Sequence, residues 1–426
     1  MKLKEGILAV LSGILLFLST LEETKFLIWI SLVPLFIALQ NKKAKLWDAT
    51  LLGFITGIFY LALGYHWITM YKPVMIWIIP AASSFFILFS LIFNYINKKN
   101  SIINFILTPV IWILLQFIFS LTIIGSFWAD LGIVYPELAK NLLGMQGTTS
   151  MIIYLGLFVS HLAVKDKQIK KLSIIFILMV LIFLGSMVLN PDNADFKNKI
   201  KVAAIQGNIY EPWNWREDFP EEVFKVYENL TLEASKDGPD LIIWPEYSIP
   251  ADLFKKTNLI KNISELAKKT KSYLIIGTLI EKENSSRYYD SAIIFNKEGE
   301  IEGIYKSIRP DPYNIEEVEP EKEYKILNTS LGNIAVMICY EDLIISPKIV
   351  KDASFIVVIA NDMTFQNTNG MYLHSLASRV KAAENNKYVI RVTNTGITQL
   401  IDNKGQVIKS IKPLKDNLLI EEIFYK

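Results

Sequence analysis

The stretch Ile334-Ala335-Val336-Met337-Ile338-Cys339-Tyr340-Glu341-Asp342 joins an apolar run to an abrupt polar turn. A short apolar run bounded by polar residues is typical of a buried strand in a soluble α/β domain. Cys339, which directly follows the run, is the only cysteine in 426 residues, so no intramolecular disulfide can form. A thiol at the end of a strand is one way to present a nucleophile. Taken alone, a single cysteine is as readily a small buried hydrophobic residue.

The first 190 residues have the composition of a membrane domain. The chain is 52% hydrophobic, and nearly all of the excess lies before about residue 190. Most of the apolar runs are close to the roughly 20 residues that span a bilayer. There are seven of them, at approximately 6–20, 25–40, 49–69, 73–96, 102–124, 148–164 and 172–190. Residues 1–190 are therefore predicted to form a membrane α-helical bundle of about seven transmembrane helices.

Lysine clusters predict the orientation of this bundle. They occur in every second link between the apolar runs, at Lys2 and Lys4, at Lys42, Lys43 and Lys45, at Lys98 and Lys99, and at Lys165, Lys167, Lys170 and Lys171. Cytoplasmic links of membrane proteins carry an excess of lysine and arginine. The amino terminus is therefore predicted to be cytoplasmic, and seven crossings leave everything after residue 190 outside.

Residues 198–426 are predicted to form a soluble α/β domain. After the polar linker 190–195, short β-rich runs alternate with charged, helix-like stretches. Strands are expected at 201–206, 241–244, 273–279, 291–295, 301–305, 334–338, 355–359, 388–392 and 398–401, and helices at 217–236, 253–270, 347–352 and 371–386. This alternation favours mixed sheets with helices on their outer faces.

Two further strands lead into a charged side chain that suits a catalytic role beside a thiol. A buried-type strand at 241–244 is followed by Pro245 and Glu246. Low dielectric raises the pKa of a carboxyl group and suits it to general-base work. The strand at 301–305 is followed by Lys306, and an ammonium beside a thiol lowers the thiol pKa and can hold the negative oxygen of a tetrahedral intermediate. Each residue alone is weak evidence, because charged residues at strand ends are usually solvated, but their order together is more specific.

At these strand ends the sequence resembles the nitrilase, or carbon-nitrogen hydrolase, superfamily over roughly residues 200–412. The resemblance is carried by Val202 to Asn208, Trp244-Pro245-Glu246, Tyr305-Lys306, Ile338-Cys339-Tyr340-Glu341 and Arg391 to Thr398. It implies an αββα sandwich with Glu246, Lys306 and Cys339 as the catalytic triad. Because a membrane domain precedes this part, the whole chain looks like the apolipoprotein N-acyltransferases within that superfamily.

The resemblance implies a two-step acyl transfer. Glu246 takes the thiol proton and Cys339 attacks a phospholipid ester, while Lys306 and the backbone N–H of Tyr340 stabilise the oxyanion. The free amine of a diacylglyceryl-cysteine lipoprotein then accepts the acyl chain. The family implies a multi-pass protein of the bacterial inner membrane, with its catalytic domain on the extracytoplasmic side.

The resemblance also assigns roles to three residues around the triad. Glu341 is expected to support the nucleophile, or only to orient the turn, and Trp215 matches a substrate-arm tryptophan, or only packs. Family members usually follow the lysine with His-Leu-Val-Pro-Phe-Gly-Glu, whereas this chain has a different segment at 307–317. Glu316 or Glu317 is a candidate for the second glutamate of that segment, but a solvated acidic loop explains them equally well.

Two other functions stay open from the sequence. One is a membrane-tethered amidase or nitrilase with water as the acceptor, and the other is a lipoprotein-binding protein without turnover. A Cys-His protease using His374 is less favoured, because His374 lies on a predicted amphipathic helix where a histidine is usually packed or capping. No cofactor, metal or nucleotide site is expected, since there is no second cysteine, no histidine pair at ligand spacing and no glycine-rich phosphate loop. A net charge of +2 gives no case for nucleic acid binding.

Overall fold

The chain divides into two compact units. A computed structural model describes residues 2–71, 76–122, 130–188, 196–210, 218–311, 317–344, 347–366 and 368–425. The first unit comprises Met1–Pro191 with Thr368–Leu373, and the second comprises Asp192–Asn367 with His374–Lys426.

The first unit is helical. Its α-helices are α1 (Leu3–Leu18), α2 (Ile28–Ser31), α3 (Val33–Leu39), α4 (Leu46–Gly64), α5 (Ile68–Tyr71), α6 (Ile78–Lys99), α7 (Ser101–Ser120), α8 (Gly144–Ala163) and α9 (Ile169–Val188). In the described part of the chain, four helices are long and apolar enough to cross a membrane, namely α4, α6, α7 and α9. The helical, membrane-like character of this region agrees with the sequence, whereas the count of seven spans is not confirmed.

Three of the predicted spans are not among these four helices, each for a local reason. Helix α1 has 16 residues, fewer than the roughly 20 that cross a bilayer. The run at 25–40 is divided between α2 and α3, and Pro34, which has no N–H to donate, lies in the first turn of α3. Helix α8 has 20 residues but buries Thr148, Thr149 and Ser160, and such polar side chains lower its hydropathy.

The second unit contains two β-sheets. Its strands are β1 (Asn198–Gln206), β2 (Leu241–Ile243), β3 (Ile249–Asp252), β4 (Tyr273–Glu281), β5 (Tyr288–Phe295), β6 (Ile301–Lys306), β7 (Leu327–Thr329), β8 (Gly332–Ile338), β9 (Phe355–Ala360), β10 (Val389–Thr393), β11 (Thr398–Ile401), β12 (Val407–Ile411) and β13 (Asn417–Tyr425). The first sheet has the order β13-β1-β2-β4-β5-β6, with β3 paired to β4, and the second has the order β12-β11-β10-β9-β8-β7. Strands β1, β2 and β4 run parallel, as do β8, β9 and β10. Segments that follow parallel strands meet at their carboxyl edge, where α/β proteins bind ligands.

Apolar side chains pack these sheets into layers. One core lies between the two sheets and includes Ile243, Tyr305 and Ile338. Helices α10 (Phe219–Ala234) and α11 (Thr257–Thr270) cover the other face of the first sheet. Helix α13 (Asn369–Asn385) contributes Ala382 to the core on the outer face of the second sheet. This helix-sheet-sheet-helix order confirms the predicted αββα sandwich.

Candidate active site

Cys339 lies at a sharp turn between β8 and the short helix α12 (Glu341–Ile344). Its backbone φ is 50°, in the left-handed region that residues other than glycine rarely occupy. Its N–H donates a 2.8 Å hydrogen bond to the carbonyl oxygen of Ile359 in β9. Ile338 already faces the core between the sheets, so simple alternation would turn Cys339 to the opposite face. The left-handed conformation redirects the half-buried Cys339, which packs against the inter-sheet core instead.

Glu246 reaches the site from the first sheet, shortly after β2 ends. Trp244 is buried, and its indole N–H donates a 2.9 Å hydrogen bond to Thr231 Oγ1 on α10, which fixes the start of the segment. The chain then passes β4 at Gly277, where an added Cβ would lie 2.7 Å from the Cα of Glu246. The Glu246 side chain is 5% exposed, and its Oε2 accepts a 2.6 Å hydrogen bond from the N–H of Asn361, just after β9. The ends of β2 and β9, one from each sheet, therefore meet at the Glu246 carboxylate.

The Cys339 thiol and the Glu246 carboxyl group are hydrogen-bonded to each other. Burial, together with the charge of the neighbouring Asp290, raises the pKa of Glu246 well above its usual range. Burial and the charge of Glu246 likewise raise the pKa of the Cys339 thiol. A proton that passes from sulfur to this carboxylate leaves the total charge of the pair unchanged. The arrangement has the geometry of a nucleophile with its general base.

Asp290, which the sequence analysis did not single out, places a second carboxyl group beside Glu246. It lies in β5 two residues before Ala292, which faces the core between the sheets, so alternation turns Asp290 to the same face. The side chain is 3% exposed and is hydrogen-bonded to Glu246 and Tyr247. Burial raises the pKa of Asp290 to about 7. The available signal was an aspartate inside a strand of aromatic and branched residues, where aspartate is depleted.

Lys306 lies on the opposite face of β6 from these groups. Tyr305 faces the core between the sheets, so alternation turns the next residue toward the helix-covered face. The Lys306 ammonium lies 3.9 Å from the ring centroid of Tyr289 and 3.9 Å from Glu321 Oε2. The structure brings the predicted base and nucleophile together, but within the described residues it gives the lysine no contact with either.

Glu341 connects the turn after β8 to the end of β6. It is fully buried and accepts hydrogen bonds from the Tyr305 hydroxyl at 2.8 and 2.9 Å and from the N–H groups of Ile308 and Ile338 at 2.8 Å each. The Ser307 hydroxyl is a further hydrogen-bond partner. Burial nevertheless raises the pKa of Glu341, because it outweighs the stabilisation of the carboxylate by these donors. These contacts suit a residue that supports the turn after β8. A role of Glu341 in the reaction itself stays a prediction.

The remaining predicted site residues are Tyr340, Trp215 and Glu316. Tyr340 is half-buried in the turn after Cys339, and its carbonyl oxygen accepts a 3.2 Å hydrogen bond from the N–H of Leu343. Trp215 and Glu316 lie outside the described residues, so their roles stay predictions. In the described part of the chain, no group of three or more His, Cys, Asp and Glu side chains could hold a metal ion.

A buried charge cluster lies beside the turn. Arg391 of β10 contacts Asp342 Oδ2 at 3.1 Å and Asp362 Oδ2 at 2.9 Å, with all three side chains fully buried. His374 of α13 contacts Asp362 through Nδ1 at 2.7 Å, and its Nε2 lies 3.3 Å from the carbonyl oxygen of Cys339. Burial and the Arg391 charge lower the pKa of His374, but the two carboxylates outweigh them and raise it to about 9. A protonated histidine that contacts the carbonyl oxygen is not placed as a base for the thiol, which argues against the Cys-His protease.

The chain matches two families along its length. Residues 201–424, more than half of the chain, match the family Carbon-nitrogen hydrolase. Residues 12–148 match the Apolipoprotein N-acyltransferase N-terminal domain. Among solved structures, carbon-nitrogen hydrolase from Helicobacter pylori G27 is 19% identical, with a TM-score of 0.45, and the match covers 53% of this chain and 89% of that chain.

Known proteins resemble the chain over nearly its whole length. Apolipoprotein N-acyltransferase of Geobacter metallireducens is 26% identical over 96% of this chain and 87% of that protein. The protein of the same name from Photobacterium profundum is 27% identical over 94% of this chain and 86% of that protein. The paired thiol and carboxylate thus lie in a domain that follows the helical domain typical of one group of carbon-nitrogen hydrolases. The chain belongs to the carbon-nitrogen hydrolase family and, within it, to the apolipoprotein N-acyltransferases.

Proposed function

We propose that this protein transfers an acyl chain from a membrane phospholipid to the N-terminal amine of a diacylglyceryl-cysteine lipoprotein. The relatives that cover nearly the whole chain carry the name Apolipoprotein N-acyltransferase. The observation that carries the mechanism is the hydrogen bond between the Cys339 thiol and the buried Glu246 carboxyl group.

The first step makes a thioester. Glu246 accepts the proton of the Cys339 thiol while the sulfur attacks the ester carbonyl carbon of the phospholipid. The carbon–oxygen bond then breaks, and the lysophospholipid leaves as an alcohol that takes the proton back from Glu246. In the second step the lipoprotein amine attacks the thioester, Glu246 takes a proton from nitrogen, and the proton returns to sulfur. Both steps leave the enzyme unchanged after one turnover.

The negative oxygen of each tetrahedral intermediate needs hydrogen-bond donors or a cation. We assign the backbone N–H of Tyr340 to this role, with Lys306 as the cation that the family resemblance implies. For Lys306 this requires the ammonium to leave the Tyr289 ring and turn past the end of β6, and the side chain, at 30% exposed, has room to move. Trp215 and Glu316 are proposed to contact substrate, and Glu341 to hold the turn.

The two parts of the chain divide the work in this proposal. Residues 1–190 are assigned to holding the protein, and its lipid substrates, in the bacterial inner membrane, while residues 198–426 carry the chemistry on the extracytoplasmic side. The apolar helices α4, α6, α7 and α9 support the first assignment. The lysine clusters, which mark cytoplasmic links, support the second. A single cysteine suits that side, because an oxidising compartment cannot lock it into an internal disulfide.

The decisive experiment follows a phospholipid with a labelled acyl chain. We expect the purified full chain to take up the label as a thioester that hydroxylamine releases, and to pass it to a diacylglyceryl-cysteine peptide. Cys339→Ala removes the attacking sulfur and should abolish both the adduct and the product, while Glu246→Gln should slow both by at least about 100-fold.

The same experiment separates the alternatives. A membrane-tethered amidase or nitrilase that uses water releases labelled free acid and leaves the peptide unmodified. A lipoprotein-binding protein without turnover binds the peptide equally in the wild-type chain and in Cys339→Ala, with no adduct in either. Formation of acylated peptide by Cys339→Ala at the wild-type rate would contradict the covalent mechanism.

A further inference from the structure

The base Glu246 does not stand alone but shares its site with other acids. The acidic and phenolic groups that face Glu246, Asp290 and Cys339 come from the segments after β2, β6 and β9 and from α12. They are Tyr247, Asp311, Glu341 and Asp362. Arg391 acts on Cys339 from β10, and His374 of α13 contacts the Cys339 carbonyl oxygen through Nε2 at 3.3 Å. The Lys306 ammonium lies on the far face of β6 with Tyr289. Acidic groups therefore dominate around the carboxyl pair.

Asp290 and Glu246 are held together by the fold. The segment after β2 passes over β4 so closely that Gly277 has no space for a Cβ, with the Pro245 carbonyl oxygen 2.2 Å from where it would lie. Gly277 pairs with Ala292 in β5, and Asp290 lies two residues before Ala292 on the same face. Asp290 and Glu246 are hydrogen-bonded to each other, and both are at least nine-tenths buried.

A hydrogen bond between two buried carboxyl groups needs a proton, because two carboxylates have nothing to donate and repel each other. One oxygen of Asp290, Oδ1, has no hydrogen-bond partner among the described residues. The hydrogen bond raises the pKa of Glu246 and lowers that of Asp290, so at rest the shared proton lies on Glu246 and Asp290 carries the negative charge. When this proton moves to Asp290, Glu246 becomes a carboxylate and can accept the thiol proton.

We propose that Asp290 is a positioning residue that holds one proton jointly with Glu246 and thereby sets the pH range in which Glu246 accepts the proton of Cys339. The reaction step is balanced, since the shared proton moves from Glu246 to Asp290 as the Cys339 proton moves to Glu246. This role builds on the proposed acyl transfer, because it gives Glu246 the function of base in that reaction.

The test uses the fact that Cys339 is the only thiol, so alkylation of the full chain by iodoacetamide reports on this site alone. Asp290→Asn keeps the shape of the side chain and removes its charge. The charge of Asp290 raises the pKa of both Glu246 and Cys339. Its removal therefore lowers both, and the inflection in the rate of alkylation moves to lower pH by about one unit. The acyl-transfer profile moves in the same direction.

Two further variants complete the design. Asp290→Ser, which is smaller and also neutral, gives the same shift if Asp290→Asn does not fold, while Glu283→Gln removes an exposed carboxylate and leaves the inflection unchanged. Alkylation at the wild-type inflection in both Asp290 variants overturns the role, even if their activity falls. A shifted alkylation profile in a chain that makes no acylated peptide supports the carboxyl pair and counts against the proposed function alone.

Discussion

The ammonium of Lys306 contacts the Tyr289 ring and Glu321, and it must leave these contacts to serve as the cation in the proposed reaction. If the ammonium held the oxyanion directly, its loss would lower kcat by about 100- to 1,000-fold. The proposed reaction turns this ammonium into the site, so we expect Lys306→Met to lower kcat by that amount, and a loss of less than about tenfold would contradict the role. Steady-state transfer of a labelled acyl chain to a diacylglyceryl-cysteine peptide measures the effect.

Lys322→Met is the matched control, because Lys322 is an exposed lysine between β6 and β7. It should leave kcat at the wild-type value. A loss of about 1,000-fold in Lys306→Met but not in Lys322→Met would mean that the lysine turns into the site during turnover. That result would favour the triad over a thiol and carboxylate assisted only by backbone N–H groups.

At the residue scale, only part of the site could be predicted from the sequence. Cys339 and Glu246 were predictable as strand-end residues because each follows a strongly apolar strand. Their strands, β8 and β2, lie in different sheets, so the meeting of the two side chains depends on how the sheets pack. The face on which Lys306 lies depends on strand alternation, which a shift of one residue reverses. Asp290 gave almost no signal, because a polar residue within a strand is ordinarily solvated. Only the close passage of the segment after β2 past Gly277 of β4 makes Asp290 a partner of Glu246.

At the scale of elements, the buried cluster that links α13 to the turn after β8 predicts a stability effect. His374 balances the carboxylates of Asp342 and Asp362 together with Arg391. Removing one partner of a buried ion pair typically costs about 3–5 kcal/mol, so His374→Gln should lower the thermal unfolding midpoint of the full chain in detergent. His66→Gln, at an exposed position, should leave it unchanged.

The same cluster has a pH signature. The pKa of His374 is raised from its ordinary value of 6.5 to about 9 in the folded chain. A raised pKa means that the charged histidine stabilises the fold fully below pH 6.5 and that this contribution is lost as pH rises through about 9. We expect the wild-type unfolding midpoint to fall between pH 7 and pH 10 by more than that of His374→Gln. Equal slopes in the two proteins would show that His374 is neutral.

The strands differ in how clearly the local sequence predicts them. The central strands β2 and β9 are fully apolar runs with a parallel neighbour on each side, and both were predicted. Strand β13 was missed because it is an edge strand that mixes polar and apolar residues. Antiparallel pairing with β1, the first strand of the domain in sequence, fixes β13 in the sheet. Such a strand depends on a partner distant in sequence, which no local pattern encodes.

At the scale of the whole molecule, the side of the membrane that carries the chemistry does not depend on counting seven spans. The last lysine cluster ends at Lys171, and the positive-inside rule makes its link cytoplasmic. One candidate span follows, α9 (Ile169–Val188), with only 6% of its apolar window buried within the protein, as expected for a helix that faces lipid. A single crossing after a cytoplasmic link predicts that residues 198–426 lie outside, however the earlier runs are divided.

Introduced cysteines test this topology, because Cys339→Ala leaves a chain without any thiol. In that background, Lys404→Cys places a thiol at an exposed position of the catalytic domain, and Lys43→Cys places one in an exposed lysine-rich link. We expect a membrane-impermeant maleimide to label Lys404→Cys in intact cells whose outer envelope has been opened, and to label Lys43→Cys only after the membrane is lysed. Labelling in the reverse order would put the Glu246 and Cys339 pair in the cytoplasm. Acyl transfer to an exported lipoprotein could not occur there, so this result would contradict the proposed function as well as the topology.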